Sequence, residues 1–135
     1  MEVQCIGRIK SSFSEPANPE EMRKAISVIV VNEEYEDGLY RIEENKHIQV
    51  IFYFDRSQGY ELIAERRVGG LKGVFASRTP GRPSPIGVTV AELIERRGRE
   101  LVVKGLDALD ETPVIDIKPY VPVFDTSSKE GTENS

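Results

Sequence analysis

The chain has 135 residues and a mass of 15.2 kDa, enough for one hydrophobic core and too little for two ordinary domains. With 39% apolar and 30% charged residues, the composition fits a globular protein and excludes a wholly disordered chain. A single cysteine, Cys5, and a single histidine, His47, exclude an intrachain disulfide and leave any zinc site dependent on carboxylates, so no metal is expected.

No apolar run approaches the roughly 20 residues needed to span a bilayer. The N-terminus MEVQCIGRIK has no signal-peptide core. No membrane partner and a cytoplasmic address are expected. Any Ser or Cys nucleophile with a histidine base would need His47, which stands at the start of a strand-like run and reads as structural.

Taken in order, residues 3–9 form the first strand candidate. Asn18, Pro19 and then EEMRK match a helix start: a capping side chain, a proline in the first turn and acidic residues facing the helix dipole. ISVIVV (26–31) is rich in β-branched residues and too short for a helix, hence a strand. YEDGLYRIEE offers a second short helix that Gly38 weakens. IQVIFYF (48–54), GVTVAELI (87–94) and ELVVKG (100–105) are further strands, the last two joined through RRGR as a hairpin. VIDI (114–117) is another. From residue 125 the chain, DTSSKEGTENS, lacks an apolar anchor and reads as a disordered acidic tail.

At least five closely spaced strands with little helix to cover a sheet predict a mainly β fold. The expectation is a small closed or nearly closed barrel over 1–124, with one or two short helices and a tail over 125–135. Neither a P-loop nor a GxGxxG after a strand is present.

A net charge of −5 argues against a nucleic-acid partner until its distribution is read. Residues 1–54 carry −4, 55–87 carry +3, 88–104 carry +1 and 105–135 carry −5. The central stretch, with Arg56, Arg66, Arg67, Lys72, Arg78 and Arg82, is locally basic, which suits either a solvated face or a phosphate-binding one.

Within it, GVFASRTPGRPSPIG (73–87) has three prolines, which hold Thr79, Arg82 and Ser84 extended. The result is a stiff loop suited to lining a ligand. LDALDETPVIDIKPYVP (106–122) contains turn-forming acids, Asp107 and Asp110, ahead of a strand. It ends in DIKPY, where Asp116, Lys118 and Tyr120 combine a carboxylate, a cation and a stacking ring.

These two segments resemble the paired motifs GVFATRSPxRPNPIG and LDxxDGTPVxDIKPYxP of the TrmO (TsaA-like) family. IGRIKSSF (6–13) and IQVIFYFDRS (48–57) extend the likeness over nearly all the chain to Phe124. The resemblance implies a homodimeric β-barrel that binds S-adenosylmethionine and methylates N6 of threonylcarbamoyladenosine beside the tRNA anticodon.

By motif position it implies cofactor contacts at Asp55, Arg56, Arg78, Val88, Lys104, Gly105, Leu106 and Asp107, and at Pro19, Glu20 and Glu21 near the N-terminus. Val88 and Leu106 are suited to packing an adenine, Asp107 to accepting from an amino group or ribose, and Arg78 to pairing with a carboxylate or with an RNA phosphate. Arg82, Lys118 and Tyr120 are expected to meet the RNA, with Asp116 or Tyr120 receiving the proton displaced by methyl transfer.

Three departures stand out. Asp55 replaces the family's histidine, Ser84 an asparagine, and Glu111 a glycine suited to positive φ, so that the local turn is expected to differ. They keep open an alternative, a barrel that binds S-adenosylmethionine or RNA without catalysis. A dimeric structural barrel with no small ligand is a third reading.

Overall fold

The structure, a computed structural model, describes residues 1–126. Its strands are β1 (Gly7–Lys10), β2 (Ile26–Val31), β3 (His47–Tyr53), β4 (Ile63–Arg66), β5 (Gly70–Gly73), β6 (Ile86–Arg97), β7 (Glu100–Lys104) and β8 (Pro113–Pro119). Two short helices, α1 (Pro19–Lys24) and α2 (Pro122–Asp125), complete it with three 3-10 segments, Glu33–Leu39, Ile42–Glu44 and Val74–Ala76. The expected closed barrel is present: six strands close in the order β1-β2-β7-β6-β3-β8, while β4 and β5 form a separate hairpin.

Every neighbour in the barrel is antiparallel, so alternate residues of each strand point inward. Ile9, Ile29, Val31, Ile48, Val50, Phe52, Leu101, Val103 and Val114 are thereby buried, and they fill the interior without a tryptophan. A bulge between Leu93 and Glu95 shifts the inward-facing positions of the twelve-residue β6 from odd to even residues. The β6–β7 turn uses Gly98 at φ 61°, where RRGR placed it. Close packing makes Gly7 obligatory, because a Cβ there would lie 2.4 Å from the carbonyl oxygen of Val30.

The structure differs from expectation at several places. β1 begins at Gly7 rather than at residue 3. YEDGLYRIEE coils into 3-10 turns broken by Arg41 at φ 68°, not an α-helix. The β4–β5 hairpin was not anticipated. Its strands are only four residues each, and its turn depends on Gly69 and Gly70 at φ 89° and 74°. Asp125 belongs to α2, where its carboxylate accepts from the Val121 amide at 2.7 Å; the rest of the expected tail, 127–135, lies outside the described residues.

Candidate functional site

A two-lobed cleft opens where β3 ends and β6 begins. One lobe, of about 370 Å³, lies between Met22, Asp55, Arg56 and Leu109. The other, of about 600 Å³, lies between Arg23, Arg78, Arg82 and Val88. Phe52, Phe54, Pro80 and Asp107 line both, so the two are one continuous space.

The aromatic floor follows from strand geometry. Phe52 pairs across the ladder with Gly87, and the Phe54 ring stands edge-on to Phe52 at 5.2 Å. A Cβ at position 87 would come within 2.8 Å of Phe54 and 2.9 Å of Phe52. Glycine is what lets both rings lie over β6.

The polar groups come from the two flanking segments. Asp107 accepts a 2.9 Å bond from the Thr89 hydroxyl through one oxygen, leaving the other free to accept. Arg78 donates from Nη2 to the Val88 carbonyl at 3.2 Å, which anchors an otherwise exposed guanidinium at the rim. Arg56 clamps the Ser14 and Asp110 carbonyls at 2.5 and 3.0 Å, and Asp55 beside it is exposed.

Of the acids in LDALDETP, Asp110 makes the turn, bonding the Ser11 amide at 2.9 Å, while Asp107 faces the cleft. Glu111 takes φ 67°, so the turn keeps the left-handed backbone of a glycine. Its carboxylate pairs with Lys10, which holds the Lys10 ammonium above its ordinary range.

Asp55, Arg56, Arg78, Arg82, Val88 and Asp107 are thus brought together. Arg82 is the least available, since its Nη1 donates to the Ser77 and Thr79 carbonyls at 3.0 and 3.1 Å and braces its own loop. Leu106 is 1% exposed and packs in the barrel core, so its side chain does not line the cleft. Gly105, at φ 95°, turns the chain beneath α1, and Lys104 points out beside Glu92. Pro19, Glu20 and Glu21 form the exposed first turn of α1, capped by the Asn18 side chain at 2.8 Å; the later Met22 and Arg23 reach the cleft.

The DIKPY residues stand elsewhere in their own chain. Asp116 lies opposite Ile51 on the outer barrel face, two strand spacings, about 10 Å, from Val88. It forms a 2.8 Å ion pair with Lys118, which raises the lysine's pKa. Tyr120 sits at the opposite end of β3, its ring edge-on to His47 at 6.4 Å.

Met22, Arg23, Phe52, Phe54 and Thr89 were not anticipated as lining residues. A phenylalanine at every second position of IFYF, with a glycine across the ladder, was the available signal for two of them. No helix among the described residues is long and apolar enough to cross a membrane, and no group of candidate metal ligands occurs among them.

Comparison with known proteins agrees with this geometry. Residues 6–126 match the tRNA-methyltransferase O N-terminal domain. An S-adenosyl-L-methionine-binding protein of Archaeoglobus fulgidus is 40% identical over 129 residues, 93% of each chain. The mouse tRNA (adenine(37)-N6)-methyltransferase is 36% identical over 103 residues, covering 73% of this chain but 24% of that enzyme. The crystal structure of TrmO from Pseudomonas aeruginosa superposes with a TM-score of 0.77 at 31% identity, covering 95% of this chain and 59% of the other. With barrel, cleft and both flanking segments in place, the chain belongs to the tRNA-methyltransferase O N-terminal domain family.

Proposed function

We propose that this protein methylates N6 of N6-threonylcarbamoyladenosine next to the tRNA anticodon, using S-adenosylmethionine and acting as a homodimer in the cytoplasm. The observation that carries the reading is the continuous cleft in which an aromatic floor, Phe52 and Phe54, lies between one free carboxylate oxygen on Asp107 and a rim guanidinium on Arg78. These groups suit a ligand that presents an adenine, a ribose diol, an amino acid and a sulfonium.

When bound, S-adenosylmethionine supplies an electrophilic methyl group. Asp107 orients the ligand by accepting from its ammonium or ribose, Arg78 pairs with its carboxylate, and Phe52 and Phe54 exclude water from the floor. Asp55 adds negative charge near the sulfonium. The other positions expected from the family, Pro19, Glu20, Glu21, Lys104, Gly105 and Leu106, contribute by shaping the backbone around α1 and the 105–107 turn.

Homodimerisation is supported by the outer face of β3 and β6, where Tyr53, Ile86, Val88 and Val90 are each about 40% exposed in one stripe. Asp116 and Lys118 share that face, on the neighbouring strand. Two copies meeting there would set one copy's DIKPY segment against the other's cleft, and this is how Asp116 or Tyr120 receives the displaced proton. Val90→Arg should yield a monomer by light scattering and lose methyl transfer; a fully active monomer would remove the shared site.

The direct test is incubation with threonylcarbamoyladenosine-containing tRNA and methyl-labelled cofactor. Label on the tRNA, abolished in Arg78→Ala, is expected. Cofactor binding without label transfer would instead support the non-catalytic binding module, a reading favoured by the distance of Asp116 and Tyr120 from their own cleft.

A further inference from the structure

The β4–β5 hairpin has two unlike faces. Its register pairs Ala64 with Lys72 and Arg66 with Gly70, which places the two cations on one face; Ile63, Glu65 and Leu71 occupy the other. The cationic face is the partly covered one, while Ile63 and Leu71 stay about two-thirds exposed. Between that cationic face and residues 76–80 runs a crevice of about 630 Å³, bordered by Arg66, Arg67, Lys72 and Arg78, with Glu65 its only acidic residue.

Three features characterise this cluster. Five cations elsewhere among the described residues are matched, Lys10 with Glu111, Arg41 with Glu44, Arg96 with Glu43, Arg97 with Glu95 and Lys118 with Asp116, whereas Arg8, Arg23, Lys24, Lys46, Arg56, Arg82, Arg99 and Lys104 are not. None of the four crevice cations has a carboxylate at ion-pair distance among those residues. Two of the side chains are also ordered by their surroundings. Arg66 is oriented by bonds to the Lys72 and Glu61 carbonyls at 3.2 and 3.0 Å, and the Lys72 ammonium folds over Gly69, where a Cβ would lie 2.7 Å from Nζ. Finally, Arg78, Thr79 and Pro80 line both the crevice and the larger cleft lobe, so the two open into each other.

S-adenosylmethionine carries no phosphate, and its carboxylate, paired with Arg78, leaves Arg66, Arg67 and Lys72 beside the cleft unaccounted for. We infer that the crevice between the β4–β5 hairpin and residues 76–80 holds backbone phosphates of the RNA whose base enters the cleft. This rests on the tRNA-methyltransferase reading above. Bonds to backbone carbonyls leave the guanidinium charge of Arg66 intact, and an extended sugar–phosphate chain suits an elongated groove better than a single anion does.

The test uses the full chain and an Arg67→Ala/Lys72→Ala variant, neither residue belonging to the cofactor cleft. Binding of threonylcarbamoyladenosine-containing tRNA is measured across a salt series, with S-adenosylmethionine titrated in parallel. The variant should bind tRNA roughly tenfold more weakly and lose about one to two units of the slope of log K against log salt. Its cofactor affinity and thermal midpoint should match the parent's. Unchanged tRNA affinity and slope in the variant would overturn the crevice while leaving methyl transfer standing. A parent chain that binds cofactor but no tRNA would overturn both.

Discussion

The two walls of the cleft are held by different means. The wall at 105–112 is stitched to the barrel: Asp110 bonds Ser11 and Phe13, Glu111 bonds Ile9, Thr112 accepts from Ile9, and Arg8 and Arg56 close on the Glu111 and Asp110 carbonyls. The wall at 73–87 is braced mainly from within, by Arg82 on Ser77 and Thr79, Ser77 on Val74, and the Gly81 amide on Thr79. Its ends are tied outward, the Val74 amide donating to Leu62 and the Pro85 carbonyl accepting from Phe54, while between them the outward ties are chiefly Arg78 to Val88 and Ser57 to Pro80. On the proposed reading, the ligand-orienting acid Asp107 stands on the wall tied more closely to the barrel. On the same reading, a segment that meets both cofactor and RNA gains from stiffness without complete immobility.

That contrast can be broken at either wall. Asp107→Ala should have the largest effect, costing about 2 kcal/mol of S-adenosylmethionine affinity by calorimetry, since a hydrogen bond from a charged group contributes roughly 1.5–3 kcal/mol. Asp110→Ala should separate stability from binding: unfolding in urea should show a loss of about 1.5 kcal/mol, with cofactor affinity nearly kept. Arg82→Ala should do the reverse, leaving the unfolding midpoint close to the parent's while cofactor binding weakens by about 1 kcal/mol as the loop loses its brace. An equal loss from Arg82→Ala and Asp110→Ala in both measurements would show that the walls are not distinct.

Glu111→Gly should have the smallest effect. Relief of a left-handed backbone, worth about 1 kcal/mol, is offset by the flexibility glycine adds to the unfolded chain and by loss of the exposed Lys10 pair. A net change within about 0.5 kcal/mol in urea unfolding is expected.

Much of this architecture was legible locally. ISVIVV became β2 with no change of bounds, and Asn18–Pro19 opened a helix as its capping chemistry required. The hairpin through Gly98 was legible for the same reason, since a two-strand turn advertises its glycine. The β4–β5 hairpin was not. IAER and GLKG are too short to show alternation, and the hairpin's apolar residues Ile63 and Leu71 stay exposed, so no burial pattern marks it. The Leu106 side chain departs from expectation because its neighbour Asp107 faces the cleft, and a one-residue step in an extended chain reverses the direction of a side chain into the core.

By itself the order of residues determined the strand-rich composition, the stiffness of 73–87, the basic centre and the family likeness, because each depends on residues close together in the chain. Only the tertiary structure decided which of those residues meet. Closing the barrel placed Asp107 against Thr89, eighteen residues earlier, and carried Phe52 and Phe54 over Gly87 to make the floor. The same closure set Asp116 and Tyr120 away from that floor, because strand register fixes which face and which end of a barrel a residue occupies.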